Sequence, residues 1–203
     1  MAACFNPMNE PSNTNLPTAK DINPTPGNLD EEWALQKFLG KNLAQAEELF
    51  REASLNRTED LTHMGPSAFR FYVQAAINYI RSDACVRDSD MINGFAGTLE
   101  HRLEWEGAEL IPIADPLAFI CGYIVEHYDR FEINPDIYGD LRPCYLHLQQ
   151  AFAQSEKMRD FKPLPERQMR INRVLLLIKA ACFAVILIVT LSIGFGIFQL
   201  LTK

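Results

Sequence analysis

The chain has little with which to carry out chemistry. Four His stand in 203 residues, at 63, 101, 127 and 147. None belongs to an H-E-x-x-H pair, and none has the Glu-x-x-His spacing with which helical bundles hold two irons. Cys4, Cys85, Cys121, Cys144 and Cys182 are odd in number and include no C-x-x-C, so neither a disulfide framework nor a zinc ribbon is expected. Reduced, packed thiols fit a cytosolic domain. The sequence also lacks a Gly-rich phosphate loop and a strand–nucleophile–helix elbow. Residues 1–15 lack the apolar core of a signal peptide. The acceptor-like Asn56-Arg57-Thr58 is therefore expected on the non-glycosylated side.

Positive charge is scarce over most of the chain. From Phe161 onward six Lys and Arg face one Glu, a net +5, which leaves −12 for residues 1–160 out of a total of −7. An acidic domain is repelled by phosphate backbones and gains nothing from counterion release, so nucleic acid is excluded as the expected partner.

What is present is a C-terminal stretch, Ala180 to Leu201, of 22 residues without a charge. As a helix it would be roughly 33 Å long, enough for a hydrocarbon core of about 30 Å. The mean hydropathy of −0.09 averages this run with a polar remainder. Lys162, Arg167, Arg170, Arg173 and Lys179 precede the run and only Lys203 follows it. That asymmetry predicts a cytoplasmic N-terminal domain, with Arg167, Arg170, Arg173 and Lys179 at the membrane interface. The expectation is a tail-anchored, single-pass membrane protein, placed in the inner membrane if the source is bacterial. Ser192 and Gly196, four apart, permit close helix approach and so a dimer through the anchor.

Upstream, residues 1–29 are rich in Pro and Asn and are expected to be a disordered arm. Residues 30–160 read as a compact all-α bundle of about five amphipathic helices, followed by a basic linker over 161–179 and the transmembrane helix over 180–201. The first helix is expected from an Asp30 cap to near Leu55, with Gly40 weakening its middle and a polar turn over 56–63. Pro66 opens the second, whose stripe is Phe69, Tyr72, Val73, Ala76, Ile77 and Ile80. Asp88 or Ser89 caps the third, which buries Ile92, Phe95, Ala96, Leu99 and Leu103 and ends at Gly107. Ile111-Pro112-Ile113 reads as an extended connector. The fourth helix follows an Asp115-Pro116 start and closes at Asn134-Pro135; the fifth starts at Asp140.

Glu100, His101 and Glu104 come nearest to a metal-ligand group, because 100 and 104 share a helical face. Glu126, His127, Asp129, Asp60 and His63 supply acid–base residue types that nothing in the sequence brings together. No cofactor is expected. The stretch Leu61-Thr-His-Met-Gly-Pro-Ser-Ala-Phe-Arg-Phe-Tyr72 resembles the signature of an uncharacterised family of small, mainly helical bacterial proteins. The shared positions are Leu61, Met64, Pro66, Ala68, Phe69, Arg70 and Tyr72, with weaker similarity from Glu47 to about Gln150. The resemblance implies a helical fold and assigns no function. Within it, Arg70 and the Tyr72 hydroxyl are candidates for recognising an anionic group of a partner. The functional expectation is an adaptor or immunity-like protein-interaction module at the lipid bilayer. The alternative is a membrane-tethered enzyme or metal protein using Glu100, His101, Glu104 or His127.

Overall fold

A computed structural model describes residues 16–165 and Lys179. The chain divides into two compact units, residues 1–162 and 163–203. The expected anchor, with Ser192 and Gly196, lies outside the described residues, as do Arg167, Arg170, Arg173 and residues 1–15. Lys179 is helical and exposed. Among the described residues the fold is all-helical.

The chain takes on structure earlier than its composition suggests. Thr18 closes a capping box with Asp21 and starts a short helix, α1, over Ala19–Ile22. Ile22 is fully buried, so the expected disorder of 1–29 is corrected for its second half. Helix α2 spans Leu29–Phe38, and its cap is Asn28, whose side chain accepts from the Asp30 and Glu31 amides. The single helix expected over 30–55 is two helices. Gly40, at φ 72°, takes the left-handed conformation open to glycine and breaks the run. Asn42 and Gln45 then cap each other's backbone and restart it as α3, Leu43–His63, with a non-helical residue, Ala53, inside. The expected polar turn over 56–63 is the second half of α3.

Helix α4, Pro66–Arg81, follows after the corner Met64-Gly65 and carries the expected stripe; Phe69, Tyr72 and Ile80 are fully buried. Asp88 caps α5, Ser89–Glu106, by accepting from the Met91 amide. The connector 107–113 is a 3-10 helix rather than extended. Helix α6, Ala114–Glu126, starts without a side-chain cap, and a 3-10 turn over Tyr128–Phe131 follows. Asn134-Pro135 does not end a helix: Asn134 caps a short one, α7, Pro135–Tyr138. Helix α8 spans Arg142–Phe152 and α9 spans Ser155–Arg159.

Helices α3 and α4 pack against each other, and α5 lies on α3; α6 packs chiefly on α8. One part of the core is aromatic, with Phe38 against Tyr72 at 4.8 Å and against Phe50 at 6.2 Å. Each fully buried ring of this kind is worth about 1.5–3 kcal/mol relative to exposure. The other part joins Ile92, Phe95 and Leu99 of α5 with Ile120 and Ile124 of α6 and with Tyr145 and Leu148 of α8, all fully buried.

Among the described residues one helical run, Ser89–Glu126, is long and apolar enough to cross a membrane, and it lies mid-chain. Length and composition do not separate such a run from the core of a soluble domain. Here the run is α5, a 3-10 segment containing Pro112, and α6 in succession, and its buried residues belong to the domain core.

Candidate functional site

A run of side-chain hydrogen bonds joins α3 and α5. Ser54 donates to the Asp88 carboxylate at 3.0 Å. One turn on, Thr98 donates to the Thr58 carbonyl at 2.8 Å, and the Thr62 and Thr98 hydroxyls meet at 2.8 Å. Further along, Arg102 reaches the Leu61 and Met64 carbonyls. Contacts advance in the same sense along both helices, so α3 and α5 run parallel, with α4 as the return. Gly94 permits this approach, because a Cβ there would collide with the Thr58 side chain. Each buried hydroxyl of this seam has a partner, which is the condition for polar groups to be tolerated inside a bundle.

Arg102 is 2% exposed. Its Nε and Nη2 donate to the Leu61 carbonyl at 3.2 Å and 2.7 Å, Nη2 also reaches the Met64 carbonyl, and Nη1 pairs with Glu106. Its guanidinium lies 4.6 Å from the centre of the Phe69 ring. These carbonyls close the C-terminal end of α3, where helical carbonyls lack intrahelical donors and the helix dipole favours a cation. Burial lowers the Arg102 pKa and Glu106 opposes that shift; the guanidinium remains a cation.

Leu61, Met64 and Phe69, three of the signature positions, are therefore Arg102's surroundings. Gly65 between them donates its amide to the Ile22 carbonyl, and a Cβ at Gly65 would strike the Asp21 carbonyl. Pro66 supplies the first residue of α4. The motif builds a helix corner.

Its two candidate interaction residues part company. Tyr72 is fully buried, and its hydroxyl faces the Phe38 carbonyl at 2.6 Å and the Lys41 carbonyl at 3.1 Å. It is corrected from a recognition residue to a brace between α4 and the end of α2. Arg70 stays at the surface, paired with Glu109 at 2.7 Å.

The histidine and carboxylate candidates are also divided. Glu100 is buried and accepts from the Cys144 thiol at 3.3 Å, whereas His101 and Glu104 are exposed. Positions 100 and 104 lie one turn apart on α5, but Glu100 reaches the α8 residue Cys144 while Glu104 is exposed, so the two do not form one ligand group. Asp60 pairs with Arg57 at 2.7 Å, and burial pushes its carboxyl up to about 6 against the pull of Arg57. His127 stacks on Tyr123 at 4.1 Å and its Nδ1 meets the Tyr123 carbonyl at 2.9 Å. His147 Nε2 meets the Lys162 carbonyl at 3.0 Å. His63 and His101 face each other across α3 and α5 with ring centres 6.4 Å apart, and Trp105 lies 6.3 Å beyond His101. Burial, then the charge of Arg102, holds the His101 imidazole below its ordinary pKa. Among the described residues, no group of three or more His, Cys, Asp or Glu is placed to hold a metal ion.

Clefts open to solvent are present among the described residues. One, of about 450 Å³, lies between α8 and the chain after α9 and includes His147, Lys157, Asp160 and Lys162. Another, of about 490 Å³, lies along α6 and includes Phe119, Tyr123, Val125 and Gln149. Exposed Leu29 and Trp33 stand one turn apart on α2, and Phe119 is 42% exposed.

Sequence reasoning missed Arg102 and the threonines. A signal existed for Arg102, since it follows Phe95 and Leu99 at seven and three residues on the inward face. No protein family, curated protein or solved structure matches this chain.

Proposed function

We propose that the chain is a tail-anchored, single-pass membrane protein whose cytoplasmic helical domain is an adaptor or immunity-like interaction module that holds a protein partner at the bilayer. The observation that carries this reading is the uncharged run Ala180–Leu201 behind the basic series Lys162 to Lys179, appended to an acidic domain. Tethering raises the local concentration of the domain and lowers the affinity each contact must supply. Solvent-facing apolar residues such as Leu29, Trp33 and Phe119 suit protein contact. Arg70, half-buried and paired with Glu109, is the polar element offered to a partner; Ser192 and Gly196 are where two anchors would pack. If the source is bacterial, the membrane would be the inner membrane.

A chain ending at Lys162 tests the anchor. The proposal expects the full chain in the alkali-resistant membrane fraction and the shortened chain in the supernatant. Retention of the shortened chain in the membrane would move the span to Ser89–Glu126. Crosslinking of the full chain in native membranes, read by mass spectrometry, then tests for the partner. No reproducible crosslinked protein would defeat the adaptor reading even if the anchor stands.

A further inference from the structure

The four histidines fall into two kinds. His127 and His147 are each engaged by a backbone carbonyl and an aromatic ring. His63 and His101 have no such carbonyl partner among the described residues, and they face each other. Their juxtaposition follows from the parallel register that sets Thr62 against Thr98 and Arg102 against the end of α3. It is fixed by the hydrogen bonds of the α3–α5 seam.

The geometry points to a surface site for a late first-row divalent metal ion, bridged between α3 and α5 by the imidazoles of His63 and His101. Two imidazoles bound to one ion at about 2.0–2.1 Å place their ring centres roughly 4.5–5.5 Å apart. From the observed 6.4 Å the rings must close by about 1 Å, by side-chain rotation at half-buried His63 and exposed His101. Exposed Glu59 precedes His63 by one turn, and Glu106 and Glu104 offset the charge of Arg102 at His101. With two protein ligands, water completes the coordination, so the ion is labile. Imidazole ligands select Ni²⁺, Cu²⁺ and Zn²⁺ over Mg²⁺ or Ca²⁺. This inference is independent of the membrane reading.

Trp105, 6.3 Å from His101, reports the site. The chain has two Trp, so in a Trp33→Phe background the emission comes from Trp105 alone. Untagged full-length protein in detergent micelles would be titrated with Ni²⁺, which quenches indole emission, and then with Zn²⁺, which does not. The expected result is saturable quenching that Zn²⁺ reverses. His63→Gln and His101→Gln should each raise the midpoint by about tenfold or more, while His147→Gln leaves it unchanged. Ni²⁺ should also raise the melting temperature of the parent but of neither variant. Non-saturable quenching, or a midpoint indifferent to both substitutions in variants with parental circular dichroism, would overturn the site.

Discussion

Arg102 of α5 holds the Leu61 carbonyl of α3 with two nitrogens, at 2.7 Å and 3.2 Å, while its guanidinium rests on the Phe69 ring of α4. One buried side chain thus ties three helices at the corner where α3 becomes α4.

Replacing it should be among the most damaging single changes in the domain. Arg102→Met keeps the volume but leaves the Leu61 and Met64 carbonyls without donors, an expected loss of about 2–4 kcal/mol. Arg102→Lys restores the charge without the planar fork and should recover less than half of that. Urea denaturation followed by circular dichroism measures both; a Met variant as stable as the parent would remove Arg102 from its structural role.

Asp60 gives the fold a pH dependence of unusual sign. Its folded pKa, about 6, lies above the ordinary 3.8, because burial outweighs attraction to Arg57. Between those values the folded state holds a proton that the unfolded state has released, so this group stabilises below pH 4 and its contribution is lost as pH rises toward 6. The change is of the order of 2 kcal/mol. Subtracting the pH profile of Asp60→Asn from that of the parent isolates it. A difference that does not vary from pH 4 to 6.5 would contradict the assignment.

Gly65 joins the start of the chain to the helix corner. Gly65→Ala would push its Cβ into the Asp21 carbonyl and should cost about 1–3 kcal/mol. Because the segment around α1 takes the strain, trypsin should cut after exposed Lys20 faster in the variant, before the rest of the domain is attacked. Equal cleavage rates at Lys20 would show that the segment is not held there.

Tyr72 and Arg70 can be told apart by what their loss affects. Tyr72→Phe removes a hydrogen bond to two inward carbonyls and should lower stability by about 1–2 kcal/mol while leaving partner crosslinking intact. Arg70→Ala breaks a surface pair worth about 0–1 kcal/mol and should reduce crosslinking with little change in stability. The opposite pattern would place recognition at the tyrosine and refute the burial argument.

The sequence by itself determined the elements that obey a local rule. Apolar residues three and four apart marked α4, α5, α6 and α8, and Pro66 and Asp88 marked two of their starts, because capping and amphipathic burial are set by near neighbours. The second half of α3 did not show this pattern. Its buried residues are Arg57, Thr58 and Asp60 with Leu61 as the one aliphatic, and a mostly polar inward face reads as a turn until the partner helix is known. The signature residues were legible as a group, but their division was not: only the packed fold sends Tyr72 to the Phe38 carbonyl and leaves Arg70 outside. Likewise 100 and 104 lie one turn apart in any helix, yet the position of α8 decides that Glu100 is inside and Glu104 in water. His63 and His101 are 38 residues apart, and the parallel register of α3 and α5, set by hydroxyls meeting carbonyls across the seam, is what brings them face to face.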